Sequence, residues 1–267
     1  MQMCEVELIM SEFGDDRVNC GGADLPSSNR LNPTLDSFLK LLPFSKVTLY
    51  TDTDIKFRER VNVIRVDPPF DKRHPRYGWR AHDYYQAKGL LESTANIAIA
   101  MDSDMVILNE KFLAILKIAE KFGLAVPVNS RILVGIDGTI GVDSTYEPAQ
   151  DDCLGLAFAY NLTPIAFSTK NHAARQLLEL YCELMVARPG RGGIHLFNAA
   201  YTLGINPYLL PPQWCVCAPR DLDSPHLWSA AVALHVGHVD VLPRWENEMR
   251  KKRVKSWIKN IVRKING

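Results

Sequence analysis

Several things are missing from this 267-residue chain, and each absence removes a class of protein. No apolar run approaches the length that crosses a bilayer. The opening Met-Gln-Met-Cys-Glu-Val-Glu has neither the basic start nor the long apolar stretch of a signal peptide, so the expectation is a soluble, cytoplasmic protein. Cysteine is sparse and scattered, at 4, 20, 153, 182, 215 and 217, with no Cys-x-x-Cys pair, which argues against a zinc site and for reduced core residues. Internal repeats and a linker-like composition are also absent, which favours one domain over residues 1–245. Net charge is nearly absent too, at +1, but it is unevenly spread. From Arg244 to Lys264 there are nine Lys/Arg and two Glu, a balance of +7, which leaves −6 for the rest of the chain. An acidic body excludes a general nucleic-acid binder and sets the basic tail, 246–267, apart.

What is present is apolar residue in quantity, 47% of the chain, enough for a sizeable core. Val6 to Met10, Lys46 to Tyr50 and Val61 to Val66 read as strands. Asn29 to Leu42 has helical spacing and is stopped by Pro43; Tyr77 to Glu92 and Glu110 to Lys121 are also helical. Ile97 to Met101 is a short buried strand, and Gly123 to Val128 another. Alternating strand and helix predicts an α/β fold with a mostly parallel sheet covered on both faces. Residues 129–152, rich in Gly, Asp, Ser and Thr, predict a long functional loop. Beyond it the spacing predicts strands at Leu154–Tyr160 and Pro164–Phe167, helices at Asn171–Arg188 and Ile194–Leu203, and an extended Tyr208–Val216.

The most informative stretch is Asp102-Ser103-Asp104, at the end of Ile97-Ala98-Ile99-Ala100-Met101. Strand alternation puts Asp102 and Asp104 on one face and Ser103 on the other. Two carboxylates at the tip of a central strand are costly to bury without a cation. Mg²⁺ or Mn²⁺ held by one or two carboxylates against substrate phosphates is the natural partner. A pair of turn aspartates capping the next helix is the plainer alternative. Ligands of parallel sheets bind beyond the strands' carboxyl ends, and the other tips here, Ser11-Glu12 and Thr51-Asp52, are polar as well.

The order of these pieces resembles the GT-A fold glycosyltransferases, nearest the glycogenin-like and lipopolysaccharide galactosyltransferase-like family. The resemblance spans about residues 5 to 245. A helix with basic residues, Arg80 to Leu91, precedes the Asp-Ser-Asp strand. Then come Tyr160-Asn161-Leu162-Thr163-Pro164-Ile165-Ala166-Phe167, Leu209-Leu210-Pro211-Pro212-Gln213-Trp214, and His235-Val236-Gly237-His238 before Leu242-Pro243-Arg244-Trp245. Two departures stand out: Gly192-Gly193 lie near the family's Asp-Gln pair, and Thr163 replaces a strand glycine.

The resemblance implies a Rossmann-like nucleotide-binding half and a metal-dependent transferase. Its donor would be a nucleotide-diphospho-sugar, UDP-linked, and its acceptor a glycan or other hydroxyl. Asp102 and Asp104 would hold Mn²⁺ or Mg²⁺, with His235 as third ligand and His238 its alternative. Tyr50, Thr51 and Asp52 would meet base and ribose. Arg80, Tyr84 and Lys88 share one helix face, from which Arg80 or Lys88 would contact phosphate alongside Asp102 and Ser103. Inverting transfer needs a base, and Asp137, Asp143, Glu147, Asp151 and Asp152 are on offer, with Asp151 and Asp152 favoured; retaining transfer needs none. A rival is the haloacid-dehalogenase-like phosphatase, whose first motif the Asp-Ser-Asp strand also fits, although about a hundred residues precede it here. In the tail, Val254, Trp257, Ile258, Ile261, Val262 and Ile265 form an apolar stripe among basic residues. The stripe suits either docking on the domain or peripheral contact with an anionic membrane.

Overall fold

The computed structural model describes residues 5–14, 27–53, 60–74, 76–134, 157–188, 190, 192–217, 230–235, 247 and 250–251. Within them the chain is α/β, with a mixed, mostly parallel central sheet flanked by helices. Strand β1 (Val6–Glu12) is buried at all seven positions, the mark of a strand covered on both faces. It pairs in parallel with β2 (Lys46–Thr51) on one side and β4 (Ile97–Ala100) on the other; β2 pairs in parallel with β3 (Asn62–Arg65). Beyond β4 the sheet turns antiparallel, through β8 (Ile165–Ser168), β6 (Leu124–Val134) and β7 (Ala157–Tyr160). A short β9 (Tyr208–Leu210) runs parallel to β6. The order is β3-β2-β1-β4-β8-β6-β7.

Alternation along the strands separates two cores. Leu8, Met10, Ile97 and Ile99 face helix α1 (Ser27–Leu41) and helix α3 (Ala114–Phe122), packing with Leu35, Phe38, Phe112 and Ile115. Ile9, Ala98 and Ala100 face the opposite way, towards α2 (Tyr77–Glu92) and α4 (His172–Ala187), with Tyr85, Leu90, Leu177 and Tyr181. Gly89 lets α2 lie close on β1, since a Cβ there would stand 2.5 Å from Ile9 Cγ2. Helix α5 (Gly192–Leu203) packs on α4 and β7.

A second, three-stranded sheet is built from β5 (Met105–Ile107), β10 (Val216–Cys217) and β11 (Ala233–His235). The chain therefore changes sheets between β4 and β5, at Asp102-Ser103-Asp104.

Most expected elements are present, some with altered bounds. The segment 129–152 does not open as a loop: β6 continues to Val134 and pairs with β7, with a register shift between Asn129 and Leu133. Backbone pairing to a neighbouring strand holds it extended despite its polar, aperiodic start. The extended stretch Tyr208–Val216 is divided by a 3₁₀ turn, Pro212–Trp214, which the double proline at 211–212 initiates. The rest of the long loop, with Asp137, Asp143, Glu147, Asp151 and Asp152, lies outside the described residues. So do His238 and nearly all of the basic tail, of which Asn247, Arg250 and Lys251 are helical. No helix among the described residues is long and apolar enough to cross a membrane.

Candidate metal centre

Strand β1 is the point at which the order of the sheet reverses: β2 and β3 lie to one side, β4 to the other. In open α/β sheets the crevice at such a point, outside the carboxyl ends of the strands, is where ligands bind. Asp102 stands two residues past the end of β4 and continues its alternation, so its side chain falls on the α2 face with Ala98 and Ala100. Asp104 reaches the same place by another route. A turn closes over the pair, with Met105 N–H donating to Asp102 O at 3.3 Å. The two carboxylates thus converge through a turn rather than through strand alternation. Thr34 on α1 fixes that turn, its hydroxyl donating to Met105 O at 2.6 Å and Asp102 O at 3.3 Å. One turn on, Ser37 Oγ accepts from Ile107 N–H. Ser103 is fully buried beneath, and its hydroxyl has no hydrogen-bond partner among the described residues.

His235 comes from far along the chain. Antiparallel pairing of β11 with β5 sets it opposite Met105, the residue after Asp104. Its Nε2 lies 3.1 Å from Asp102 Oδ2 and 3.0 Å from Asp104 Oδ1. One ligand atom from each of Asp102, Asp104 and His235 falls within 4.8 Å of the others. Behind the imidazole, Cys215 Sγ stands 4.0 Å from Nδ1, and Asn161 Nδ2 donates to that sulfur at 3.1 Å.

Asp102 is also held from α2. His82 Nε2 lies 2.8 Å and Gln86 Nε2 2.6 Å from its Oδ1. The far nitrogen of His82, Nδ1, meets Ser11 Oγ at 2.8 Å and Ser11 O at 2.9 Å. The backbone N–H of Asp102 donates to Thr163 Oγ1 at 2.9 Å. Burial alone raises a carboxyl's pKa; at Asp102 the adjoining His82 and His235 outweigh it and hold the group well below the usual carboxylate range. It is an anion at neutral pH.

Three expected ligands, Asp102, Asp104 and His235, are therefore brought together. The others go elsewhere. Residues two apart on a helix point roughly 200° apart, so the face that presents His82 and Gln86 to Asp102 turns Arg80, Tyr84 and Lys88 away. Arg80 donates to Met185 O and Arg188 O at the end of α4 and lies over Phe70. Lys88 pairs with Glu92 at 3.4 Å, one turn along α2. Tyr50 is buried, stacked on Tyr85, and donates to Glu92 Oε2 at 2.9 Å, near the far end of α2 from the aspartates. Thr51 is buried, its Oγ accepting from Thr53 N–H. Asp52 ties the strand tips together, accepting from Gly14 N–H at 3.2 Å and Tyr77 Oη at 2.8 Å. The 192–193 glycines carry packing: a Cβ on Gly193 would lie 2.0 Å from Tyr160 O, and one on Gly192 2.7 Å from Asp83 Oδ2.

His82, Gln86, Thr34 and Thr163 did not emerge from the sequence as site residues. Their signal was faint: His82 and Gln86 are polar residues four apart on an otherwise buried helix face. Comparison with protein-family models and with curated proteins finds no match for this chain.

Proposed function

We propose that this chain is a metal-dependent glycosyltransferase of GT-A type, moving a sugar from a UDP-linked donor to a glycan or other hydroxyl acceptor. The observation that carries the reading is the convergence of Asp102, Asp104 and His235 at the sheet's point of reversal. Two carboxylates and one imidazole are a donor set that suits Mn²⁺, or Mg²⁺ with water completing the shell. Held there, such an ion supplies Lewis-acid neutralisation of the charge that builds on a leaving diphosphate. The chain's own part is to fix Asp102 through His82 and Gln86, fix the turn through Thr34, and seat the histidine through β11.

The engagement of Asp102 favours this role over that of a phosphatase nucleophile. Oδ1 is committed to two N–H donors and Oδ2 faces His235, which suits a ligand better than an attacking group. The test is a panel of nucleotide sugars assayed for hydrolysis with and without Mn²⁺. The expected result is Mn²⁺-dependent release of UDP from a UDP-sugar, lost in Asp104→Ala. Phosphate release from simple monoesters, with every nucleotide sugar left intact, would overturn the proposal.

A further inference from the structure

Of the two oxygens of Asp102, one is spoken for by the protein. Oδ1 receives His82 Nε2 at 2.8 Å and Gln86 Nε2 at 2.6 Å. Both donors are buried, at 1% and 0% exposure, so breaking either bond strands a polar group away from water. Gln86 is tied to this task. Its amide oxygen has no hydrogen-bond partner among the described residues, and turning the amide over would set that oxygen against the carboxylate. The ring of His82 is fixed in turn by Ser11 on β1. The remaining oxygen, Oδ2, is the one that looks towards His235, whose Nε2 also meets Asp104.

From this we infer that His82 and Gln86 are positioning residues that restrict Asp102 to one-oxygen ligation and so make the site discriminate against Ca²⁺. The inference rests on the proposal that Asp102, Asp104 and His235 bind a divalent ion. Ca²⁺ takes six to eight oxygen ligands at about 2.3–2.6 Å and is served by carboxylates that can chelate with both oxygens. Mg²⁺ and ions that accept a compact octahedral shell need only one oxygen from each carboxylate, held at a fixed angle. A clamp on Oδ1 supplies that angle and removes the second oxygen. Releasing it lets the carboxylate rotate and chelate, which helps the larger ion and misdirects the smaller.

The test uses the full chain and two metal probes. Mn²⁺ binding is followed by loss of the free-ion electron paramagnetic resonance signal, and Ca²⁺ by its displacement of bound Mn²⁺, in wild type, Gln86→Leu and Gln86→Met. Wild type is expected to prefer Mn²⁺. In the variants Mn²⁺ affinity is expected to fall roughly tenfold, the lower end of what loss of an outer partner costs a metal site. Ca²⁺ should lose less, so the preference narrows at least threefold, and the spectrum of bound Mn²⁺ should broaden. A general loosening would weaken both ions alike; an unchanged Mn²⁺-to-Ca²⁺ ratio in a folded variant overturns the inference while leaving the metal site intact. If wild type takes up no Mn²⁺, the metal reading itself fails. Gln86→Met, nearer in length, carries the test if Gln86→Leu does not fold.

Discussion

At the scale of single residues, the molecule keeps one half-buried anion, Asp102, in place with neighbours that each do one job. His82 is 1% exposed and joins Ser11 on β1 to Asp102 past the end of β4. His82→Ala removes a buried donor from a charged, half-buried acceptor, and such bonds contribute about 2 kcal/mol. The expected outcome is a lower urea midpoint with an unchanged slope; an unchanged midpoint would show that water replaces the ring without loss. Asp104 is the complementary case, since its carboxylate approaches His235. Asp104→Ala should fold with little change in stability and lose Mn²⁺-dependent binding of UDP in calorimetry. Equal UDP affinity for wild type and variant in Mn²⁺ would remove Asp104 from the ligand set. The aspartates announced themselves in the sequence because two acids at the end of an apolar strand are costly. The residues that hold them did not, because a histidine and a glutamine on an apolar helix look like ordinary polar exceptions until the fold says what they face.

At the scale of elements, local pattern was a good guide where packing follows periodicity. Helix α2 begins and ends where its spacing placed it, at Tyr77 and Glu92, and Asn171 caps α4 through its side chain, accepting from Ala174 N–H. Pattern failed where a neighbour decides. Strand β6 runs on to Val134 because β7 pairs with it, and Arg80 on α2 reaches the end of α4 while the opposite face of that helix meets Asp102. Two tests belong here. Gly193→Ala would push a methyl against the backbone oxygen of Tyr160, 2.0 Å from the ideal Cβ, so α5 must shift. The expected loss is about 2 kcal/mol or more. Gly204→Ala meets nothing within 4 Å and carries only the strain of φ +63°, about 1 kcal/mol. Thermal melting should rank Gly193→Ala well below Gly204→Ala; the reverse order would mean that α5 is not seated on β7 as described. The second concerns α4, where burial, the largest cause, pushes the Cys182 thiol up to about 12. Thiolate is the reactive form, so Cys182 should resist iodoacetamide at pH 8 in the native protein and react once urea is added. Rapid native labelling of Cys182, read by peptide mass, would contradict the packing of α4 on α2.

At the scale of the whole molecule, the parallel half and the antiparallel half divide the work. Strands β1 to β4 put the carboxyl ends of a parallel sheet at one edge, and the switch into the small β5-β10-β11 sheet carries His235 back to that edge. The first division was legible in the sequence, because alternating strands and helices imply a parallel sheet. The second was not, since a three-residue strand 128 residues after Met105 leaves no local trace of its partner, and only the resemblance picked out His235. This arrangement makes a prediction about the intact protein. A ligand that binds only the folded state stabilises it by mass action, by about 2.7 kcal/mol at a hundred times its dissociation constant, and so raises its melting temperature. For a chain of this size each kcal/mol moves the midpoint by roughly 2–4 °C, so a saturating nucleotide should raise it by several degrees. With Mn²⁺ present, UDP is expected to produce that shift, GDP a smaller one, and UDP without divalent metal almost none. The metal dependence follows from the cluster of Asp102, Asp104 and His235, because a diphosphate has no other reason to settle beside two carboxylates. The preference for uridine follows from the resemblance alone, so the two halves of the result separate. Protection by GDP exceeding that by UDP would overturn the choice of base and spare the metal site. Equal protection with and without metal would overturn the site.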